Sequence, residues 1–503
     1  MQQLMHSFAG HFPPAEILAG VRDGEISAFC LFAHWNVEHP AQLRDLTQAL
    51  LRAAEEGNQL PPLIGIDQEG GQLIAIANGA TELPGNMALG ATRSPELAEQ
   101  AGRVLGRELR AMGLNLNFAP SLDVNINPVN PVVGIRSFGA DPELVAKLGV
   151  ALIRGMQAEG VIATAKHFPG HGDTSTDTHH TSPRITHSLE RMHDLELLPF
   201  RRAIAAGLNA IMPAHIMFTA LDADNPATLS PAILKDYLRG TLGFNGVIIS
   251  DAMDMYAVAR FGAAESVSMA LQAGIDMPLL AHLPDQLALA EQVRHLAQPD
   301  ALARIQHLRT GIPRDLPALD VVGCAEHQQI AQTIADRSIT LVKNGGQIPL
   351  RPAPDDEIVV ITPQPSDLTP ADTSSSVQIA LADAIRQRHP RTSAYALPRD
   401  ASAGDISAIM QASEKARFTI VGTVAADQDR VQAELVKALY AHGQNPLVVA
   451  LRTPYDLMAF PMVETYLCAY GIRAVTTEAV ARVLFGEISA EGVLPCPIPE
   501  TAL

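Results

Sequence analysis

The chain has 503 residues, and its 36 lysines and arginines against 54 aspartates and glutamates give a formal net charge of −18. Apolar residues make up 47% and charged residues 18% of the chain, which is typical of folded globular domains and excludes a disordered chain. An acidic chain without a basic cluster is a poor binder of nucleic acid and of anionic membranes, so we expect neither partner.

The cysteines and the first residues indicate the compartment. Four cysteines are far apart in sequence without a CxxC pair, which excludes a zinc ribbon or a disulfide scaffold and fits a reducing environment. The opening residues, MQQLMHSFAGHFPPAEIL, lack the basic start and apolar core of a signal peptide. No stretch approaches the ~18–20 consecutive apolar residues that span a bilayer. We therefore expect a soluble, cytoplasmic protein.

Apolar runs of strand length recur through the first 280 residues, separated by segments with helical spacing such as ELAEQAGRVLGRELRAMG. Runs that are apolar throughout are typical of strands buried on both faces of a parallel sheet. Seven such units predict an N-terminal (β/α)8-like TIM barrel in which the eighth strand is not placed. The predicted strands are 26–33, 63–67, 114–120, 161–166, 210–214, 247–251 and 275–280.

A proline-rich stretch, TGIPRDLPALD, follows the last helix of this part and predicts a linker. Strand-like runs then resume with SITLVKN, EIVVITP, FTIVGTV, NPLVVALR and VETYLCAYG. The sequence therefore predicts a catalytic barrel domain over residues 1–318 and a C-terminal α/β sandwich domain over residues 319–503.

Polar residues stand at the ends of four of the predicted barrel strands. The second, fourth, fifth and sixth strands end in IDQEGG, AKHFPGHGD, MPAHI and ISDAMDM. Active sites of barrels are built where the carboxyl ends of the strands meet. This distribution predicts an active site at that end of the barrel.

The loop after the fourth strand, KHFPGHGDTSTDTHH, carries four histidines and two aspartates within residues 166–180. Asp177 and His179 fit a dyad, because a carboxylate bonded to Nδ1–H raises the basicity of Nε2. The other nitrogen could then give a proton to a leaving group. Two alternatives stay open on the loop alone: a metal site, since histidine and aspartate are also zinc ligands, and a solvated polar loop.

Asp251 follows the buried run GVIIS and is therefore expected at the barrel mouth. A carboxylate there can attack an anomeric carbon or stabilise positive charge on it. The alternative is a helix N-cap, which Ser250 or Asp251 could supply equally well. Asp254, three residues further, is expected to be structural.

Asp67, at the end of the second strand, is placed to hydrogen bond vicinal hydroxyls of a sugar, although an Asx-turn would also explain it. Arg136 in GIRSFG and the pair Lys166–His167 add donors on the same face. Each of these could instead belong to a structural ion pair.

Together these motifs resemble a known family. IDQEGG, NFAPSLDVN, GIRSFG, KHFPGHGDTSTDTHH, PAHI and GVIISDAMDM stand in the order seen in glycoside hydrolase family 3, and the D-x-H spacing resembles its β-N-acetylglucosaminidase branch. The resemblance continues through SITLVKN and LFGEISAEGVLP, which implies the long form with a C-terminal sandwich domain.

The resemblance implies a role for each matching residue. Asp251 would be the nucleophile of a retaining mechanism, and His179 the general acid/base that Asp177 orients. The sugar would be held by Asp67, Arg136, Lys166 and His167, with His215 lining the same mouth. No cofactor or metal is implied.

Two positions depart from the branch. Gln72 and Ala75 stand where it often has arginines that help to hold the sugar.

The leading hypothesis is an exo-acting β-N-acetylglucosaminidase that releases terminal N-acetylglucosamine from cell-wall fragments or chitooligosaccharides. A related β-glycosidase or a glycoside phosphorylase is the nearest alternative, because a histidine acid/base does not repel phosphate as a carboxylate would. A zinc metallohydrolase that uses the histidine-rich loop and a non-catalytic sugar-binding module are alternatives from other classes.

Overall fold

The structure is a computed structural model that describes residues 2–176 and 183–499. Its first part alternates short strands with helices, as the apolar runs predict. The strands are β1 (Ala28–Cys30), β2 (Leu63–Ile66), β3 (Gln68–Gly70), β4 (Leu73–Ile74), β5 (Leu116–Asn117), β6 (Ile162–Phe168), β7 (Arg184–Ile185), β8 (Ala210–Pro213), β9 (Met217–Phe218), β10 (Val247–Ala252) and β11 (Met277–Leu279). The helices are α1 (Ala15–Arg22), α2 (Ala33–Asn36), α3 (Pro40–Glu56), α4 (Asn86–Thr92), α5 (Pro95–Ala111), α6 (Pro142–Ala158), α7 (Leu189–Asp194), α8 (Leu198–Ala205), a π-helix (Ala232–Thr241), α9 (Tyr256–Ala259), α10 (Ala263–Ala273), α11 (Gln286–Val293) and α12 (Pro299–Thr310).

The sheet of this part is parallel, with the strand order β1-β2-β5-β6-β8-β10-β11. Each of these strands overlaps one of the seven predicted from sequence, so the barrel prediction is confirmed. The two edge strands are bridged by the N-terminal segment: Met5 pairs with Leu279 of β11, and His6 pairs with Phe29 of β1. This two-residue bridge occupies the place of the eighth strand that the sequence did not reveal.

The helices around the sheet begin where the sequence supplies their N-terminal signals. In α5, the Ser94 hydroxyl accepts the backbone N–H of Leu97, and Pro95 takes the first helical position. Both features satisfy or remove backbone donors that an uncapped first turn leaves unpaired. The apolar face of α5 packs on α6, which starts in the same way at Asp141 and Pro142.

The second part is a three-layer α/β sandwich. Five of its strands are parallel, and the first runs antiparallel at one edge, in the order β12-β17-β16-β15-β13-β14. The strands are β12 (Thr340–Lys343), β13 (Ile358–Pro363), β14 (Thr392–Leu397), β15 (Phe418–Thr423), β16 (Leu447–Ala450) and β17 (Thr465–Cys468), and the helices are α13 (Ala325–Ser338), α14 (Leu381–Arg386), α15 (Ala403–Lys415), α16 (Arg430–Ala441) and α17 (Ala474–Leu484).

Alternate residues of each central strand enter opposite cores. In β13, Ile358 and Val360 pack with α13, α14 and α17, whereas Val359 and Ile361 pack with α15 and α16. The period of two explains why these runs are apolar on both faces. The sequence missed β14, whose middle residues are largely exposed and polar or small, as is common at a sheet edge.

The two parts share an apolar core at their junction. Met87 and Ala91 of α4, with Ile135, cluster with buried residues of the sandwich. The predicted boundary between residues 318 and 319 stays a prediction. Within the described ranges, no helix is both long and apolar enough to cross a membrane.

Candidate active site

A cavity of about 330 Å³ opens at the carboxyl ends of the barrel strands. Charged and aromatic side chains from several strand ends and loops converge on it. It is lined by Cys30, Phe32, Asp67, Leu73, Val132, Arg136, Lys166, His167, His171, Met212, Asp251, Ala252, Asp254, Met255, Leu279, His282, Pro370 and Ala371.

Lys166 lies at the centre of a buried ion-pair network on one wall. Its Nζ is 2.6 Å from Oδ1 of Asp67 and 2.8 Å from Oε1 of Glu69. Glu69 also accepts two hydrogen bonds from Arg136, at 3.0 Å from Nε and 2.7 Å from Nη2. Three of these side chains are nearly inaccessible, whereas 34% of the Asp67 side chain is exposed. Asp67 is therefore the most accessible member of the network, although Lys166 and Arg136 also line the cavity.

The charges in this network support one another. Burial alone would raise the pKa of Glu69, but Arg136 and Lys166 lower that pKa from 4.5 to about 2. Burial would likewise lower the pKa of Lys166, but Asp67 and Glu69 raise it. The wall consequently presents fixed charges to a ligand near neutral pH, already paired and oriented before binding.

Asp123 orients two histidines at the end of β6, His167 and His171. One of its carboxylate oxygens accepts the backbone N–H groups of His167 and His171, at 3.1 and 2.6 Å, and the other is 2.8 Å from Nδ1 of His167. Burial disfavours this carboxylate, yet His167 and these bonds hold the pKa of Asp123 below its ordinary value. With Nδ1 of His167 held, its Nε2 is the nitrogen left for a sugar hydroxyl.

Asp251 lies inside β10 and lines the cavity. Its Oδ1 accepts the backbone N–H of Ala252 at 2.7 Å. The next helix begins at Tyr256 with Met255 as its N-cap, so the alternative in which Ser250 or Asp251 caps a helix is wrong. The strand end aims this carboxylate at the cavity.

His215 is buried and supports this strand end. Its Nδ1 is 2.8 Å from the Thr228 hydroxyl, and its Nε2 is 3.0 Å from the carbonyl oxygen of Ala252. His215 is not among the described residues that line the cavity. Its contacts fix the backbone next to Asp251.

Aromatic rings stand beside the opening. The ring of His282 lies 4.4 Å from that of Phe32 and 4.6 Å from that of Trp35, measured between centroids. Asp254 holds His282 by an Nδ1 contact of 3.0 Å. Asp254 therefore positions His282 and also lines the cavity.

The predicted acid/base pair, Asp177 and His179, lies outside the described residues. The residues before and after this segment contact each other: Nε2 of His187 is 2.5 Å from Oδ2 of Asp173. Arg191 contacts both Asp173, at 3.4 Å, and the buried Glu196, at 3.1 Å.

The same cluster bears on the metal alternative. Among the described residues, Asp173, His187 and Glu196 form the group with donor atoms close enough, within 4.8 Å of one another, to hold a metal ion. The guanidinium of Arg191 already supplies positive charge to both carboxylates, which makes the cluster a poor fit for a cation.

The sandwich reaches the cavity, a point that the sequence left open. Pro370 and Ala371 line it together with Leu73 of the barrel. Gln72 contacts this segment through two hydrogen bonds. Its side-chain Nε2 donates to the Ala371 carbonyl at 3.0 Å, and its backbone carbonyl accepts the Thr373 N–H at 2.9 Å. Gln72, at a position where the family often has arginine, therefore contacts the neighbouring domain.

Glu69 and Asp123 belong to the site but were not predicted from the sequence. Both stand inside recognised motifs, IDQEGG and NFAPSLDVN, but their partners are 44 to 97 residues away in sequence. The available signal was a carboxylate placed in an otherwise apolar or turn segment beside a strand end.

Known proteins resemble the chain along its whole length. The family model "Glycosyl hydrolase family 3 N terminal domain" matches residues 3–308, and "Glycosyl hydrolase family 3 C-terminal domain" matches residues 339–503. A beta-hexosaminidase A from Pseudoalteromonas piscicida is 33% identical over 96% of this chain and 91% of its own length. A beta-hexosaminidase from Pseudomonas aeruginosa is 39% identical over 61% of this chain and 90% of its own.

Among solved structures, a glycoside hydrolase family 3 beta-N-acetylglucosaminidase from Paenibacillus sp. strain FPU-7 superposes with a TM-score of 0.92 at 34% identity. The match covers 99% of this chain and 98% of that one. The family matches and the full-length relatives agree with the order of motifs along the sequence. The chain belongs to glycoside hydrolase family 3.

Proposed function

We propose that the chain is an exo-acting β-N-acetylglucosaminidase that cleaves with retention of configuration. The observation that carries the proposal is the convergence of Asp251 with Asp67, Lys166 and His167 on one cavity. The 33% identity to a beta-hexosaminidase A over 96% of the chain supports the same activity.

In the proposed mechanism, the Asp251 carboxylate attacks the anomeric carbon as the glycosidic bond breaks, which forms a covalent glycosyl-enzyme. The hydrogen bond from Ala252 N–H and the support of His215 behind that backbone would hold the carboxylate in line. Asp67, Lys166 and His167 would bind sugar hydroxyls before the reaction starts. Arg136 would act through Glu69, to which it is bonded, by keeping the charged wall in place.

We assign proton transfer to His179, with Asp177 as its orienting carboxylate, on the strength of the D-x-H spacing. Imidazole would protonate the leaving oxygen in the first step and deprotonate water in the second. The contacts among Asp173, His187 and Arg191 support a defined position for the ends of this loop.

The proposed substrates are short carbohydrates with a terminal N-acetylglucosamine, such as cell-wall fragments or chitooligosaccharides, so the protein would take part in peptidoglycan turnover. A cavity of about 330 Å³ suits one terminal sugar better than an internal segment of a chain. The four unpaired cysteines fit the proposed cytoplasmic location.

A pair of aryl β-glycosides that differ only at C2 tests the proposal. We expect the acetamido substrate to exceed the hydroxyl substrate in kcat/KM by at least about tenfold, since a missing group in a fitted site commonly costs that much. Equal rates would assign the enzyme to the broader β-glycosidase alternative. Product analysis with and without phosphate separates hydrolysis from phosphorolysis, because only the latter yields a sugar 1-phosphate.

A further inference from the structure

We propose that the crevice between the two domains, at the carboxyl ends of β13, β14, β15 and β16, binds a small ligand that carries an oxyanion group, either phosphate or carboxylate. This site is separate from the sugar cavity and from the proposed hydrolysis.

The topology of the sandwich creates the crevice. Along the sheet the parallel strands follow the order β14-β13-β15-β16-β17, so the direction of winding reverses at β13. The helix after β13, α14, packs on one face of the sheet, and the helix after β15, α16, packs on the other. Loops that leave neighbouring strands toward opposite faces leave a gap at the carboxyl edge, which is where open α/β sheets bind ligands.

A cavity of about 300 Å³ occupies this place. Residues that follow each of the four strands line it, and a barrel loop closes the opposite side. The residues after the strands are Gln364 and Ser366, Pro398 and Arg399, Val424 to Arg430, and Arg452 with Thr453, and those of the barrel loop are Pro128, Asn130, Pro131 and Gly134.

Three arginines give the crevice its charge. Arg399 and Arg430 are exposed, and neither forms an ion pair with another described residue. Arg452 is buried at the inner end, 3.9 Å from Asp372. Guanidinium groups bind phosphate and carboxylate through paired N–H donors, so two unpaired arginines at one opening fit an oxyanion.

Asp372 offsets the charge of the buried Arg452, but no described carboxyl group pairs with Arg399 or Arg430. Asp429 accepts hydrogen bonds from the backbone N–H of Val431 and from Nε2 of Gln432, both at 2.9 Å. Both of its carboxylate oxygens are therefore bonded to the first turn of α16. Burial and the neighbouring Asp427 raise the pKa of Asp456, which favours its neutral form. Burial also raises the pKa of Asp427.

The remaining lining favours a small polar ligand. No aromatic ring lies among the described residues that line the crevice, so nothing there stacks on a base or on a sugar face. Gln364, Ser366, Gln428 and Thr453 supply amide and hydroxyl groups. Ala425, directly beyond β15, has a left-handed backbone with φ of 52°, a strain that non-glycine residues commonly bear at functional sites.

The crevice and the sugar cavity share a wall. Leu368 lines the crevice, whereas Pro370 and Ala371 line the sugar cavity. Arg452 donates to Gln72 at 2.8 Å, and Gln72 donates to the carbonyl of Ala371 at 3.0 Å. A ligand that displaces Arg452 would therefore shift Gln72 and, through it, the Ala371 wall of the sugar cavity.

Direct titration of the full chain tests the site. Inorganic phosphate, glucose 6-phosphate and citrate are titrated by calorimetry into the wild type and into the double variant Arg399→Gln/Arg430→Gln. We expect saturable binding of at least one of them by the wild type, and an affinity at least about tenfold lower in the double variant, as loss of two charge-assisted contacts predicts. The probe that binds with the higher affinity shows whether the site prefers phosphate or carboxylate.

The matched control is Arg417→Gln. Arg417 is an exposed arginine of the same domain, placed directly before β15 and hence at the opposite edge of the sheet. It should bind the probes as the wild type does. Absence of saturable binding, or equal affinity in all three proteins, would overturn the proposal. Because no turnover is measured, this outcome is independent of the proposed hydrolase activity.

Discussion

Arg452 of the sandwich donates two hydrogen bonds, from Nε at 3.2 Å and from Nη2 at 2.8 Å, to the side-chain oxygen of Gln72 in the barrel. The same glutamine donates from its nitrogen to Ala371, which lines the sugar cavity. An arginine at position 72, as the family often has, would place two guanidinium groups side by side in a buried interface. Gln72 therefore links Arg452 to a segment that lines the sugar cavity.

We expect Gln72→Ala to raise KM for an aryl N-acetylglucosaminide while kcat changes little. The substitution frees the segment with Pro370 and Ala371 but leaves the reacting groups in place. Hydrogen bonds to a charged group contribute about 1.5–3 kcal/mol. If about 1–2 kcal/mol of this is lost from sugar binding, KM should rise by roughly 5- to 30-fold. Steady-state kinetics measure the split.

The control for this prediction is Gln329→Ala, an exposed glutamine on α13, which should leave both constants unchanged. A fall in kcat with constant KM in Gln72→Ala would contradict the role of the segment as a wall of the sugar cavity.

The barrel could be predicted because each strand is a short apolar run and each catalytic candidate follows such a run. The closure of the barrel could not be predicted, because Met5 and His6 pair with the edge strands through backbone atoms and lie in a segment without a periodic pattern. Strand β14 was missed for a related reason, since an exposed edge strand does not need apolar side chains.

Five residues that the sequence singled out line the cavity, but the sequence did not indicate how they are paired; they are Asp67, Arg136, Lys166, His167 and Asp251. Lys166 contacts two carboxylates that are 97 and 99 residues away, and Gln72 contacts Arg452 across 380 residues. The first pairs depend on how the barrel strands come together and the last on how the two domains pack, and local patterns encode neither. His215 shows the same limit: a strand-end histidine was expected to line the mouth, whereas it contacts Thr228 and the backbone of Ala252.

Asp251→Asn is expected to keep less than about a tenth of wild-type turnover on every substrate, including those with good leaving groups, because glycosylation needs the nucleophile however easily the aglycone departs. The isosteric control is Asp236→Asn on the exposed face of the π-helix. An activated fluoro-sugar should label Asp251, as peptide mass spectrometry would show. Labelling of Asp254 instead would refute the assignment.

Glu69→Gln should destabilise the fold in a pH-dependent manner. The pKa of Glu69 is lowered from 4.5 to about 2 in the folded chain, so its ionised form stabilises the fold above pH 4.5. Below that pH this stabilisation declines until the pH passes about 2. Removing one partner of a buried ion pair costs about 3–5 kcal/mol, and urea unfolding at pH 7 should show a loss of this order.

The difference between wild type and Glu69→Gln should therefore shrink as the pH falls from 4.5 toward 2. Glu99→Gln, which removes an accessible pair with Arg103, serves as the control and should cost less than about 1 kcal/mol at any pH. A pH-independent difference for Glu69→Gln would show that packing, and not charge, accounts for the loss.

Extended dialysis against a chelator should leave activity unchanged. Among the described residues, Asp67 and His167 form ion pairs and hydrogen bonds within the protein, and Arg191 supplies the positive charge at Asp173 and Glu196. Metal content measured by mass spectrometry, together with the rate before and after dialysis, checks this prediction. Stoichiometric zinc whose removal abolishes turnover would favour the metallohydrolase alternative.

His179→Ala should affect substrates in proportion to the need of their leaving groups for a proton. Unactivated glycosides should slow by on the order of 10²–10⁴-fold, whereas aryl glycosides with acidic phenols should lose far less in the glycosylation step. Deglycosylation still needs a base, so the glycosyl-enzyme should accumulate on activated substrates. Azide, which attacks without a base, should restore turnover and give a β-glycosyl azide. Equal slowing of both substrate types, with no effect of azide, would make His179 a binding residue instead.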